Sequence, residues 1–171
     1  MVANDPIGAG RRWIPESEYE YIRANVPIAC VDFIPLSHDW PPMIGLIRRE
    51  TYRGGQGWCL VGGAVLRDEP LLAAVERHVN ATLGDDVHVD TATLHLLDIA
   101  EYFTKPGLGQ FYDPRKHSVA PTYFGSCGGS IRPCGEALEF RWFQLEELPM
   151  RQFGFGQEEL VRRLINRNLW T

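Results

Sequence analysis

No apolar run in this 171-residue chain approaches the ~18 residues that a membrane-spanning helix needs. The opening MVANDPIGAGRRW has no apolar core of the kind that marks a secretion signal. The expectation is therefore a cytoplasmic protein with no membrane partner. A surplus of basic charge is also missing. Lys and Arg number 17 against 22 Asp and Glu, giving a net charge of -5 and a pI near 5.5. A general nucleic-acid binder presents a basic surface, so nucleic acid is excluded as a partner, while a local basic pocket for an anionic small molecule is not. Cysteine is scarce: Cys30, Cys59, Cys127 and Cys134, expected to be reduced. Cys127 and Cys134, in CGGSIRPC, stand too far apart for a zinc knuckle and have no second close pair. Two buried or half-buried thiols is the preferred reading, with a disulfide across a glycine-rich turn as the alternative. No internal repeat is visible.

What is present is ordinary globular chemistry, with 44% apolar and 23% charged residues and a length suited to one domain with a sizeable core. Residues 1–12 read as a loose tail, and 13–171 as a single domain. PESEYEYIRANV (Pro15 to Val26) opens on proline and two glutamates, which favours a helix start, and Pro27 stops it. IACVDFIPL (Ile28 to Leu36) and MIGLIRRETY (Met43 to Tyr52) read as strands, joined as a hairpin through SHDWPP. RGGQGWCLVGGAV is a glycine-rich loop flanking a short strand. A helix follows, with Pro70 near its first turn, Leu71, Leu72, Val75, Val79 and Leu83 on one stripe, and Gly84 at its end. VHVDTATLHLLDIAEYF (Val87 to Phe103) alternates enough for one or two strands. TKPGLGQFYDPRKHS is loop-rich, VAPTYFGSCGGSI resumes strand character, and EFRWFQLEELP gives a strand and a short turn. QEELVRRLINRNLW (Gln157 to Trp170) closes the chain as an amphipathic helix. The order predicts an α/β (α+β) fold, a mixed sheet with flanking helices.

The stretch GGAVLRDEPLLAAVERHVNATLG raises the functional question. With GWCLVGG before it and EFRWFQLEELP after it, this segment resembles the Nudix hydrolase superfamily, whose box is written G-x5-E-x7-R-E-U-x-E-E-x-G-U. Gly63, Glu69, Arg77, Val79 and Gly84 fall on matching positions. Within the superfamily the look is closest to the GDP-mannose mannosyl hydrolases, whose box has the reduced form A-x-x-R-x-x-x-A-E-x-G, similar to AVERHVNATLG here. The resemblance implies an α/β/α sandwich, with Glu69, Arg77 and Gly84 shaping the loop and helix. It also implies Mg²⁺ held by glutamates at the positions of His78, Ala81 and Thr82.

Those glutamates are absent. Mg²⁺ wants oxygen ligands, usually carboxylates with phosphate oxygens and water, and a histidine nitrogen suits softer metals. The box is degenerate in this sense, and the cofactor stays open between none and Mg²⁺ or another divalent metal at a weakened site. His78 with Asp85 is the candidate substitute pair. Arg48, Arg49 and Arg53, with the backbone around Gly62 and Gly63, are the candidates for phosphate binding, because guanidinium forks suit phosphate oxygens. His117 lies in the region where the relatives carry a general base, and its ordinary pKa suits that role. Three functions follow, in order of preference. The first is an atypical Nudix-type hydrolase of a nucleoside-diphosphate-linked compound, such as a nucleotide sugar. The second is an inactive nucleotide-binding protein of the same fold. The third is an interaction protein, arranged as a homodimer through its helices.

Overall fold

A computed structural model describes residues 14–52 and 54–167. The tail expected over 1–12, Arg53, and the last turn of the expected closing helix lie outside the described residues.

Helix α1 (Glu16–Asn25) follows Pro15 and carries Glu16 and Glu18 in its first turn and Arg23 in its last, charges that suit the helix dipole at both ends. None of its residues is buried. Strand β1 (Ile28–Leu36) is buried almost throughout, as fits a strand with neighbours on both edges and cover on both faces. It pairs in parallel with β8 (Ser118–Gly128) and antiparallel with β4 (Val61–Ala64). Strand β2 (Ile44–Glu50) pairs antiparallel with β3 (Gln56–Cys59) and with β9 (Glu139–Phe143). Strands β5 (His88–Val89), β6 (His95–Phe103) and β7 (Phe111–Tyr112) complete a mixed sheet of order β3-β2-β1-β8-β6-β7, with β4 on β1, β5 on β8 and β9 on β2.

Helix α2 (Leu71–Leu83) packs on β4 and β1. It buries Val75, Val79 and Leu83, each side chain stabilising by about 1.5–3 kcal/mol relative to exposure. Gly84 ends it at φ 100°, a backbone angle that a side chain would strain. Helix α3 (Glu158–Arg167) buries Leu160, Val161 and Leu164 and is pinned to β6 by an ion pair between Arg163 and Asp98. The architecture is the mixed sheet with flanking helices that the pattern of elements predicts. No helix among the described residues is long and apolar enough to cross a membrane.

The expected hairpin of β1 and β2 forms, but it is short. β1 and β2 touch as a hairpin only at Leu36 and Ile44. Beyond that pair β2 turns away to β3 and β9, and the edge of β1 is taken by β4. Adjacency in sequence favours hairpin pairing, but β2 gains partners on both of its edges by leaving β1. All four cysteines are free, with Cys30, Cys59 and Cys127 buried and Cys134 exposed.

Candidate functional site

The registers of β1, β4, β8 and β6 set Asp32 opposite Gly62 and Thr122, Cys30 opposite Ala64, and Tyr102 opposite Ser118. Residues directly opposed across neighbouring strands share a face. Cys30, Asp32, Gly62, Ala64, Tyr102 and Ser118 therefore form one floor. Above it opens a cleft of about 510 Å³, walled by His78, Ala81 and Thr82 of α2 on one side and by Arg49, Asp113, Arg115, Lys116 and Glu136 on others. Tyr19 and Arg23 of α1 also reach it.

Asp32 is the feature of the floor. It is only 7% exposed, and its Oδ2 accepts a hydrogen bond from the Tyr102 hydroxyl at 2.8 Å. Tyr102 in turn accepts from Gln157 Nε2 at 3.3 Å, and Gln157 Oε1 accepts from the Leu60 amide at 3.0 Å. Burial raises the Asp32 pKa to about 6, with the Tyr102 bond and the charges of Lys116 and Arg49 opposing the rise. Burial also pushes the Tyr102 hydroxyl well above its ordinary range, so the phenol remains a donor. A carboxyl with its pKa raised to about 6, held by a donor and lining a cleft, is the kind of group that serves as general base or acid.

Glu69 and Arg77 meet in a fork. Arg77 Nε and Nη2 donate to the two Glu69 oxygens at 2.7 and 2.8 Å, and Nη2 also reaches the Ala64 carbonyl at 2.8 Å. The Leu66 amide donates to Glu69 as well. The Arg77 hydrogen bond, foremost, holds the Glu69 carboxyl below its ordinary pKa. The fork ties α2 to the loop that follows β4. Gly62 and Gly63 sit on that strand in close quarters: a Cβ on Gly62 would lie 2.2 Å from the Val31 carbonyl oxygen, and one on Gly63 would lie 2.6 Å from His78 Cε1.

The Mg²⁺ that the resemblance implies does not fit the α2 wall. His78 Nε2 lies 3.0 Å from the Ala64 carbonyl oxygen, which can only accept, so that nitrogen carries the proton. Burial, and secondly Arg77, lower the His78 pKa to about 4, so the ring is neutral. Thr82 spends its hydroxyl on the His78 carbonyl at 2.7 Å. Ala81 has no side-chain donor atom. The chain from Gly129 to Leu138 lies across the end of α2: the Arg132 and Cys134 amides bond the Leu83 and Thr82 carbonyls, and Cys134 Sγ lies 3.4 Å from the Ala81 carbonyl. Asp85, the expected partner of His78, is exposed beyond the helix and does not line the cleft. Among the described residues no three His, Cys, Asp or Glu side chains are grouped so as to hold a metal ion.

The remaining expected residues divide. Arg49 enters the cleft, donating to Glu136. Arg48, one residue earlier, points to the opposite side of the strand and pairs with Glu139 at 3.5 Å, because alternate strand residues face opposite ways. Arg53 lies outside the described residues. His117 is absent from the cleft lining. It stacks on Phe103 with ring centroids 4.8 Å apart and borders a neighbouring depression with Glu20 and Thr104. Ser118 faces the floor, so the residue before it faces away. The sequence reading missed Asp32, Tyr102, Glu136, Asp113, Arg115, Lys116 and Gln157. Asp32 had a signal: it is the one charged residue in the β run IACVDFIPL. Tyr102 comes from β6, and the rest are brought in by loops and turns whose course periodicity does not reveal.

The profile of a family described as "Domain of unknown function (DUF4916)" matches residues 9–169. A crystal structure of a possible asymmetric diadenosine tetraphosphate hydrolase from Jonesia denitrificans shares the fold with a TM-score of 0.75 at 29% identity, covering 86% of this chain and 98% of that one. The Nudix domain of Shewanella oneidensis NrtR, solved with ADP ribose, matches with a TM-score of 0.61 at 20% identity over 91% of this chain and 99% of that one. In sequence, the low-salt glycan biosynthesis protein Agl8 of Haloferax volcanii is 36% identical over 78 residues, 46% of this chain. That match spans about half, 48%, of the Haloferax protein's length. The chain belongs to the DUF4916 family, and its fold is that of the Nudix hydrolases.

Proposed function

We propose that the cleft takes a nucleoside-diphosphate-linked compound, such as a nucleotide sugar, and that the protein is an atypical Nudix-type hydrolase. The observation that carries this reading is the meeting of Asp32, a buried carboxyl with a pKa of about 6, with three cations, Arg49, Arg115 and Lys116, in the cleft beside Gly62. In the reaction, Asp32 accepts a proton from water as the water oxygen forms a bond to the sugar carbon or to phosphorus. The bond to the departing group breaks with its electron pair, which the cations stabilise. Preorganised charge of this kind is a large contributor to catalysis. The partial match to a glycan biosynthesis protein supports a sugar-linked substrate. Asp32 takes the role that His117 has in the sequence reading, since it lies on the cleft floor.

A second reading, binding without turnover, is favoured by the α2 wall, whose side chains offer no carboxylate, and by the NrtR Nudix domain solved with ADP ribose. The test is a panel of nucleotide sugars and dinucleoside polyphosphates assayed for product release and for thermal stabilisation. Turnover lost in Asp32→Asn supports the hydrolase; stabilisation without product supports the binder. A ligand that binds only the folded state must raise its apparent stability, so a panel that moves neither readout rejects both.

A further inference from the structure

Lys116 is half-buried in the cleft, and among the described residues its ammonium makes no ion pair. Its hydrogen bond goes to Cys30 Sγ at 3.2 Å, and sulfur is a weak acceptor. Asp32 is close enough to feel its charge. Arg49 spends Nη1 on Glu136, while its Nε is buried with no partner. Arg115 grips Asp113 through Nε and Nη2, at 2.9 and 2.7 Å, and lies 4.5 Å over the Phe155 ring. Each guanidinium keeps further N–H donors beyond those bonds. The cleft thus holds a weakly bonded ammonium and two guanidinium groups, each guanidinium paired with a carboxylate. The α2 wall, where the fold would place its metal ligands, presents a neutral imidazole, a methyl group and a hydroxyl already spent on backbone.

We infer that Lys116, together with Arg49 and Arg115, binds a diphosphate group directly, without a divalent metal. The inference rests on the reading that the cleft takes a nucleoside diphosphate, and adds how the charge is met. Lysine acts as a point charge on phosphate oxygens while arginine offers a fixed fork, so the two residue types divide the work. The ligand oxygens would supply Lys116 with the strong acceptors that Cys30 does not.

The test is calorimetric titration of the full chain with ADP and with inorganic pyrophosphate, in EDTA and in excess Mg²⁺. Binding in EDTA at least as tight as in excess Mg²⁺ is expected, since the free ion competes for the diphosphate oxygens. Lys116→Met should weaken binding about ten- to hundredfold, the usual effect of removing a charged hydrogen-bond partner. Lys116→Arg, which keeps the charge, should retain most of it. Thermal melts of each variant check that it is folded, and Arg115→Met provides a second, independent variant with the same expected direction. Binding that appears only with Mg²⁺ overturns the inference and leaves the diphosphate reading standing. Failure of both probes in both media, with the parent chain folded, overturns the diphosphate reading itself. Metal-free binding that Lys116→Met and Arg115→Met both leave unchanged also overturns the inference.

Discussion

Asp32→Asn should make the protein more stable and less active. Asp32 is nearly inaccessible, and its pKa rises from the ordinary 3.8 to about 6, chiefly through burial. That displacement corresponds to about 3 kcal/mol of cost in keeping the group ionised. The sign follows from proton linkage. The folded state holds the proton more tightly than the open chain, so stability is highest in acid and is lost as pH rises through the folded-state pKa of about 6. Asparagine keeps an acceptor for the Tyr102 hydroxyl but never ionises. At about pH 8 the variant should therefore gain up to about 3 kcal/mol, and at about pH 4 it should gain almost nothing. For a chain of this length the gain corresponds to a melting point about 6–12 °C higher at the alkaline end. Thermal unfolding monitored by circular dichroism at a series of pH values measures it. Turnover, if Asp32 is the base, should fall by about 10²–10⁴. A variant that is less stable than its parent at alkaline pH, or equally stabilised at both ends, would refute the burial argument. Full activity in the variant would refute the catalytic one.

Arg77→Met strands the Glu69 carboxylate, whose side chain is 1% exposed, and should cost about 3–5 kcal/mol by denaturant unfolding. Because Arg77 holds the Glu69 pKa down, the pair's contribution is present above the ordinary carboxylate range and lost as pH falls through the folded-state value. The variant's deficit should accordingly shrink in acid. Gly63→Ala puts a methyl 2.6 Å from His78 Cε1, so the ring must move off the Ala64 carbonyl; a loss of about 1–3 kcal/mol is expected, together with weaker nucleotide binding in the same titration. Glu136→Gln removes the anion that engages Arg49 and should tighten ADP binding severalfold; weaker binding would show that Glu136 positions Arg49 instead of competing for it.

The residues explain why some of this was legible in advance and some was not. The α2 stripe, the Pro70 start and the Gly84 stop are local signals, and the helix runs where they place it, but of the stripe only Val75, Val79 and Leu83 are buried, while Leu71 and Leu72 in the first turn are exposed. The box spacing brought Glu69 and Arg77 to attention together because they lie on one loop-helix unit. Arg48 and Arg49 lie on a stretch read as a strand, where adjacent residues diverge, so the alternation already argued against a cluster; which of the two faces the cleft was set by the neighbours of β2. His117 failed as a cleft residue for the same reason, one position before Ser118.

By itself, the sequence determined the helices and the longer strands, the class of fold and the absence of carboxylates at His78, Ala81 and Thr82, because these depend on periodicity, turn chemistry and residue identity; β4 and β7, read as loop, form only through their tertiary partners. Only the tertiary structure decided what stands in the cleft. Asp32 meets Tyr102 across 70 residues, Arg49 meets Glu136 across 87, and Lys116 meets Cys30 across 86. Contacts at such separations are set by which strand β1 and β2 choose as neighbours, and burial, which displaces the Asp32 pKa, exists only once those neighbours are in place.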